Sequence, residues 1–93
     1  MNIFHWVKKM KIRILYFGRP GEKLGLSEEN VEVPADVTSV GTLLGWLRKR
    51  GPDWAQELTE ARVRCAVNQE FTDGGAAIKT GDEIALFSPI SGG

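Results

Sequence analysis

The sequence has little of the chemistry that most enzymes and metalloproteins carry. Its 93 residues include one cysteine, Cys65, and one histidine, His5. A lone cysteine excludes an internal disulfide framework, and one histidine beside it provides no local set of zinc ligands. We therefore expect no bound metal, and a reducing cytoplasmic setting is the simplest interpretation.

An excess of charge of either sign is also absent. Twelve Lys and Arg residues balance twelve Asp and Glu residues, so the formal net charge is zero. No global basic field favours nucleic acid or an anionic membrane. A chain this short buries only about two thirds of its unfolded surface, which supports one modest core but hardly a deep enzyme cleft.

Long hydrophobic runs are missing too. Residues 1–9 contain aromatic and aliphatic side chains, but His5 interrupts them and Lys8 and Lys9 follow. No small-residue cleavage site comes next, so the segment is typical neither of a secretory signal nor of a membrane span. We interpret residues 1–9 as a poorly ordered extension, with a short membrane-surface or partner-binding segment as the alternative.

What the sequence does contain is a set of short alternating patterns. They predict strands over 11–17, 29–33, 63–68 and 83–87. A loop rich in glycine and proline over 18–26 separates the first two strands, which are close enough in sequence to form a hairpin. A turn-rich stretch precedes the last strand.

One main helix is predicted between the second and third strands. Apolar residues recur at the spacing of one helical face over 40–47. Thr38 or Ser39 can cap its first turn, and Gly51-Pro52 ends it. Asp53 is expected to cap a further short turn.

These elements predict an α+β roll, a twisted mixed sheet with the main helix on one face. The last strand is expected beside the first, in parallel, at the centre of the sheet. Leu15, Phe17 and Phe87 then point away from the helix and form an apolar patch, which usually marks a docking surface. The alternative is a second small core covered by segment 18–26.

The end of the sequence carries its most specific motif. In Gly81–Gly93 an apolar strand is followed by Pro89 and two final glycines. Pro89 lacks an N–H, so the tail is expected to leave the sheet. Gly92 and Gly93 have no Cβ, so they fit a narrow channel and let a catalyst approach the last carboxyl group. The alternative is an ordinary frayed terminus.

No catalytic constellation is found in the sequence. Cys65 lies on the inward face of a predicted strand and is assigned to packing. Gly18-Arg19-Pro20-Gly21 lacks the spacing and the Lys-Ser/Thr ending of a phosphate loop. Several glutamates are interpreted as solvated charge rather than as an acid/base pair; they are Glu22, Glu28, Glu29, Glu57 and Glu60.

From about Lys11 to Gly93 the chain resembles the small subunit of molybdopterin synthase, the ubiquitin-like sulfur carrier of molybdenum-cofactor biosynthesis. The stretches that carry the resemblance are IRILYF at 12–17, the helix over 40–47, AVNQ at 66–69 and the motif over 81–93. Ser88 departs from the pattern, because the family often has a second proline there.

The resemblance implies a ubiquitin-like β-grasp domain over 10–88, preceded by the extension 1–9 and followed by a flexible diglycine tail over 89–93. An ATP-dependent adenylating enzyme would convert Gly93 to an acyl-adenylate, and a sulfurtransferase would supply the sulfur that leaves a thiocarboxylate. The carrier itself would bind no cofactor, since the ATP is used by its partner.

The resemblance also implies a docking mode. The body would bind the large catalytic subunit in a heterotetramer, with Gly92 and Gly93 in its active site, where sulfur passes to a cyclic pyranopterin precursor. Phe17 and Phe87 match the docking positions of the family. The expected partner-binding residues are Leu15, Phe17, Phe87, Ser88, Pro89, Ile90 and Ser91.

Three alternatives stay open. The first is a sulfur carrier for thiamine thiazole synthesis, although such carriers are usually shorter and lack the helical insertion with Trp54. The second is a protein modifier that forms isopeptide bonds through Gly93. The third is a plain β-grasp interaction module in which the diglycine is incidental.

Overall fold

This computed structural model describes residues 9–89, and this part of the chain contains five strands and three helices. In chain order they are β1 Met10–Phe17, α1 Arg19–Leu24, β2 Glu28–Val33, α2 Val40–Arg48, α3 Pro52–Glu57, β3 Arg64–Val67, β4 Glu70–Thr72 and β5 Glu83–Phe87. None of these helices is long and apolar enough to cross a bilayer.

Within the described residues the strands form one mixed sheet in the order β2-β1-β5-β3-β4. β1 pairs antiparallel with β2 and parallel with β5, and Ile14 lies opposite Ile84. β3 pairs antiparallel with both β5 and β4. The predicted parallel pairing of the last strand with the first is therefore confirmed, and the strand that leads to the tail lies at the centre of the sheet.

α2 covers one face of this sheet because its apolar residues share one side. Val40, Leu43, Leu44 and Leu47 are all buried. They pack against alternate residues of the strands, which are Ile12, Ile14, Tyr16, Cys65, Ile84 and Leu86. The faces that alternation predicts for β1 and β5 are thus the faces that the core uses.

Of the two predicted caps, Ser39 is the one that begins α2. Its hydroxyl accepts the N–H of Thr42 at 3.2 Å, and the Thr42 hydroxyl accepts the N–H of Ser39 at 2.9 Å. This reciprocal capping box satisfies two N–H groups that the helix itself cannot.

Segment 18–26 was wrongly predicted to be a loop. It contains α1, which starts with Pro20 in its first turn, where the fixed φ of proline suits a helix. Gly25 ends it at a φ of 75°. Leu24 and Leu26 pack against the main core, so the alternative of a separate core under this segment is wrong as well.

The expected cap at Asp53 is also wrong. α3 begins at Pro52, and the cap position is held by Gly51, which offers no side-chain hydrogen bond. Proline fits this first helical position because its missing N–H would have had no partner there.

Candidate functional site

The face of the sheet opposite α2 carries large apolar side chains at the end where β5 leaves the sheet. Phe17 of β1 lies opposite Phe87 of β5, and Leu15 lies opposite Ala85 in the preceding position. Phe17 is 52% exposed, while Leu15 and Phe87 are half-buried. The outward direction of these three side chains agrees with the alternation of the sequence.

Phe71 joins them, although the sequence interpretation missed it. It lies in β4, within a stretch that was expected to be turns, and it pairs with Ala66 of β3. Its ring centroid is 5.6 Å from that of Phe87, yet 85% of the residue is exposed. The available signal was Asn68-Gln69, whose asparagine suits a tight hairpin turn, followed by renewed alternation.

Four side chains form what we call the outer patch: Leu15, Phe17, Phe71 and Phe87. Ala66 and Ala85 pair with each other between Leu15 and Phe71. The centre of the patch therefore carries small side chains, with larger apolar side chains around it. An exposed apolar surface of this kind is typical of an interaction site.

The outer patch continues to the root of the tail. A groove of about 380 Å³ is lined by Phe71, Phe87, Arg64, Ser88 and Pro89, among others. The Ser88 hydroxyl is buried and has no hydrogen-bond partner among residues 9–89, and Pro89 is exposed. The remaining predicted site residues lie outside the described part of the chain; they are Ile90, Ser91, Gly92 and Gly93.

Cys65 is also among the residues that line this groove. Cys65 is 6% exposed, and burial together with the charge of Glu60 raises the pKa of its thiol to about 11. At neutral pH it therefore remains a neutral thiol, in agreement with its assignment to packing. Between residues 9 and 89, no three His, Cys, Asp or Glu side chains come together to hold a metal ion.

Three of the five glutamates that were interpreted as solvated are held in ion pairs, and two of these three, Glu29 and Glu57, are also at least half-buried. Glu57 is 4% exposed, and its carboxylate lies 2.9 Å from the Arg19 Nε and 3.9 Å from the Arg62 Nη1. Glu29 is paired with Arg50 at 2.7 Å. The interpretation failed for these two because their partners are distant in sequence and become neighbours only when the helices and β2 pack together.

The chain matches the ThiS family over residues 14–93. The molybdopterin synthase sulfur carrier subunit of Haemophilus influenzae is 29% identical over 82 residues, which are 88% of this chain and 99% of that protein. The subunit of the same name from Escherichia coli is 32% identical with the same coverage.

Solved structures give the same result for the fold. The HVO 2177 protein of Haloferax volcanii superposes with a TM-score of 0.76 at 26% identity, covering 91% of this chain and 88% of that one. Small archaeal modifier protein 1 from the same organism superposes with a TM-score of 0.62 at 30% identity, covering 87% and 99%. The predicted ubiquitin-like roll is confirmed. The chain belongs to the ThiS family, and molybdopterin synthase sulfur carrier subunits are among its curated relatives.

Proposed function

We propose that this protein is the sulfur-carrier subunit of a molybdopterin synthase. The observation that carries the proposal is the position of the outer patch, beside the root of the tail and on the face that the core does not use. The names of the curated relatives support the same role and with it a large catalytic subunit as partner.

In the proposed reaction the carrier contributes its last carboxyl group, and its partners contribute the catalysis. A carboxylate is a poor acyl donor, so an adenylating enzyme first uses ATP to convert Gly93 to an acyl-adenylate. A sulfurtransferase then supplies sulfur at the oxidation level of hydrosulfide, which attacks the acyl carbon, displaces AMP and leaves a thiocarboxylate. The large subunit takes up Gly92 and Gly93, and the sulfur passes to a cyclic pyranopterin precursor while Gly93 returns to a carboxylate. Two such transfers, from two loaded carriers, supply the two sulfur atoms of the molybdopterin dithiolene. We propose that the carrier acts in the cytoplasm, in a heterotetramer with the large subunit.

The outer patch provides the docking energy in this scheme. Phe17 and Phe71 are 52% and 85% exposed in the free chain, so they remain available to a partner. Aromatic side chains are the usual anchors of protein interfaces, because they bury a large area at a small cost in conformational entropy. Docking through this patch brings the root of the tail, at Ser88 and Pro89, to the surface of the partner.

A protein modifier is the second candidate, favoured by the likeness to small archaeal modifier protein 1. Such a protein would use the same activated Gly93 to form isopeptide bonds with lysines. A sulfur carrier for thiamine thiazole synthesis is distinguished by the acceptor of the sulfur, because the match to the ThiS family does not separate it from a molybdopterin carrier.

The test is to incubate the protein with the adenylating enzyme, ATP and a sulfur source, and to measure its intact mass. We expect a gain equal to the replacement of one oxygen atom by sulfur, and molybdopterin formation when the large subunit and the precursor are added. Deletion of Gly93 is expected to abolish loading without a change in thermal unfolding.

Other results would identify the alternatives. Linkage to lysines would show a modifier, and loading that supports only thiazole formation would show the other carrier. A chain that gains neither sulfur nor a lysine linkage would be an interaction module.

A further inference from the structure

The turn between β3 and β4 has a backbone conformation that side chains rarely adopt. Asn68 has a φ of 51° and Gln69 a φ of 72°, both in the left-handed region. Two successive positive φ values are typical of a type I′ hairpin turn, in which asparagine, aspartate or glycine is common at the first position and glycine at the second. Asparagine tolerates a positive φ, but Gln69 stands where glycine is preferred, so the contacts of the turn must maintain its conformation.

Asn68 is held by hydrogen bonds to the start of β5. Its Nδ2 donates to the Asp82 Oδ1 at 2.9 Å, and its Oδ1 accepts the N–H of Glu83 at 2.9 Å. Its own N–H donates to the carbonyl of Glu83 at 2.8 Å. The turn is therefore tied to the central strand β5 as well as to β3.

Asp82 extends this connection across the sheet. It is 4% exposed, and its Oδ2 accepts the N–H of Lys79 at 2.8 Å. Its carbonyl accepts the N–H of Arg13 in β1 at 3.0 Å. One buried residue thus joins β1, the chain before β5 and the β3–β4 turn.

Phe71 depends on this turn because little else orients it. β4 has three residues, and within the described part of the chain it pairs with β3 alone. Since 85% of Phe71 is exposed, burial does not determine its position. Its contact with Phe87, at 5.6 Å between ring centroids, requires that β4 keep its placement relative to β5.

We propose that Asn68 and Asp82 are positioning residues for partner docking. They hold the β3–β4 hairpin so that Phe71 stands against Phe87 before the large subunit arrives. The inference rests on the proposed function, which assigns docking to the outer patch. A surface fixed in advance binds more tightly, because less side-chain and backbone freedom is lost on association.

The test exchanges the chemistry of the two side chains. Asn68→Asp replaces the donor with a second carboxylate that faces the one on Asp82. Asp82→Asn leaves one amide oxygen to serve both Asn68 and the N–H of Lys79. Each single variant is expected to bind the purified large subunit about 10-fold more weakly in titration calorimetry.

The double variant Asn68→Asp/Asp82→Asn can restore the side-chain hydrogen bonds of the pair. The amide at position 82 donates to the carboxylate at position 68 and accepts the N–H of Lys79, while the carboxylate still accepts the N–H of Glu83. Binding is expected to return to within about 3-fold of wild type. Failure of the exchange to restore binding overturns the proposal.

A second comparison separates positioning from general stability. In a Phe71→Ala background, Asn68→Asp is expected to cause little further loss of binding, because it acts through Phe71. The same 10-fold loss in both backgrounds would overturn the proposal. Gln69→Gly is the matched control in the same turn. Glycine adopts the positive φ without strain and leaves the hydrogen bonds of Asn68 in place, so this variant should bind as wild type.

The Phe71–Phe87 ring contact in the free carrier gives a readout that needs no partner. Proton NMR should show it lost in the single variants and restored in the exchanged pair. If Asn68→Asp fails to fold, Asn68→Gly takes its place, since it keeps the turn and removes the side-chain bonds. If Phe71→Ala binds the large subunit as tightly as wild type, the docking surface itself is refuted. If Phe71→Ala binds weakly but Asn68→Asp binds as wild type, only the positioning role is refuted.

Discussion

At the scale of single residues, Glu29 illustrates how a charge interpreted as solvated becomes part of a network. Its carboxylate accepts hydrogen bonds from Arg50 at 2.7 and 3.0 Å and from the Tyr16 hydroxyl at 2.8 Å. The Arg50 guanidinium lies 5.2 Å and 4.6 Å from the ring centroids of Trp46 and Trp54. The cluster ties β2 to the end of α2 and to α3.

This network shifts the pKa values of Glu29 and Tyr16. Burial alone raises the pKa of Glu29, but the hydrogen bonds from Arg50 and Tyr16 and the positive charge of Arg50 outweigh it, so the pKa lies below its ordinary value. Burial and the hydrogen bond to Glu29 raise the pKa of Tyr16, which stays protonated.

Glu29→Gln is expected to reduce the acid sensitivity of the fold. The pKa of Glu29 is lower in the folded state than in the unfolded state, where it is about 4.3. Its contribution to the free energy of unfolding is therefore complete above the unfolded-state pKa and is lost as the pH falls through the folded-state pKa. The free energy of unfolding of wild type should therefore fall more steeply than that of the variant below about pH 5. Chemical denaturation over a pH series measures this.

The matched control is Glu32→Gln, which removes one carboxylate from an exposed position of the same strand and leaves the Arg50 cluster intact. Identical acid sensitivity of wild type and Glu29→Gln would contradict the assigned role of Glu29.

At the scale of elements, the two glycines of α2 look alike in sequence but differ in their surroundings. The N–H of Gly41 donates to the carbonyl of Gly74 at 2.8 Å, and a Cβ at position 41 would lie 3.0 Å from that oxygen. At Gly45 the nearest atom to such a Cβ is the Nη2 of Arg48, 3.6 Å away. Only Gly41 is required by close packing.

Alanine substitutions at the two positions should therefore have opposite effects. Gly45→Ala is expected to raise the free energy of unfolding by about 0.5–1 kcal/mol through helix propensity. Gly41→Ala is expected to lower it by about 1 kcal/mol or more, since a backbone carbonyl cannot move aside without losing its hydrogen bond. Urea denaturation of both variants measures the difference, and stabilisation by both would show that the approach of Gly74 is not tight.

At the scale of the whole molecule, the two faces of the sheet have separate roles. The α2 side holds the core, in which Ile14, Ile84 and Leu47 are fully buried. The opposite face leaves Phe17 and Phe71 in solvent. Stability and docking therefore depend on different residues and can be changed independently.

Substitutions on the two faces should separate these properties. Phe71→Ala is expected to weaken binding of the large subunit by about 1–3 kcal/mol, while the free energy of unfolding stays within about 0.5 kcal/mol of wild type. Phe87→Ala should weaken binding by a similar amount. Leu47→Ala, the control in the core, should cost about 2–5 kcal/mol of stability and leave the affinity of the folded protein unchanged. Calorimetry measures the affinity for the large subunit, and chemical denaturation measures the free energy of unfolding. If Phe87→Ala unfolds the domain, the outward direction of the Phe87 side chain is contradicted.

The sequence by itself determined the strand faces, the main helix and the parallel pairing of β1 with β5. Alternation and helical spacing are local properties, so the outward directions of Leu15, Phe17 and Phe87 follow from residue order alone. The same local reasoning failed for segment 18–26, because its proline and glycines start and end a short helix as readily as they form a loop.

Only the tertiary structure decided which charges are buried and how the outer patch is completed. Glu57 meets Arg19, Phe71 meets Phe87 and Asn68 meets Asp82 across 14 to 38 positions of the chain. Periodicity describes the direction of a side chain within its own element, but it contains no distance to another element. These contacts form only when α3 packs against α1 and the β3–β4 hairpin joins the sheet, and no local pattern of the sequence specifies either event.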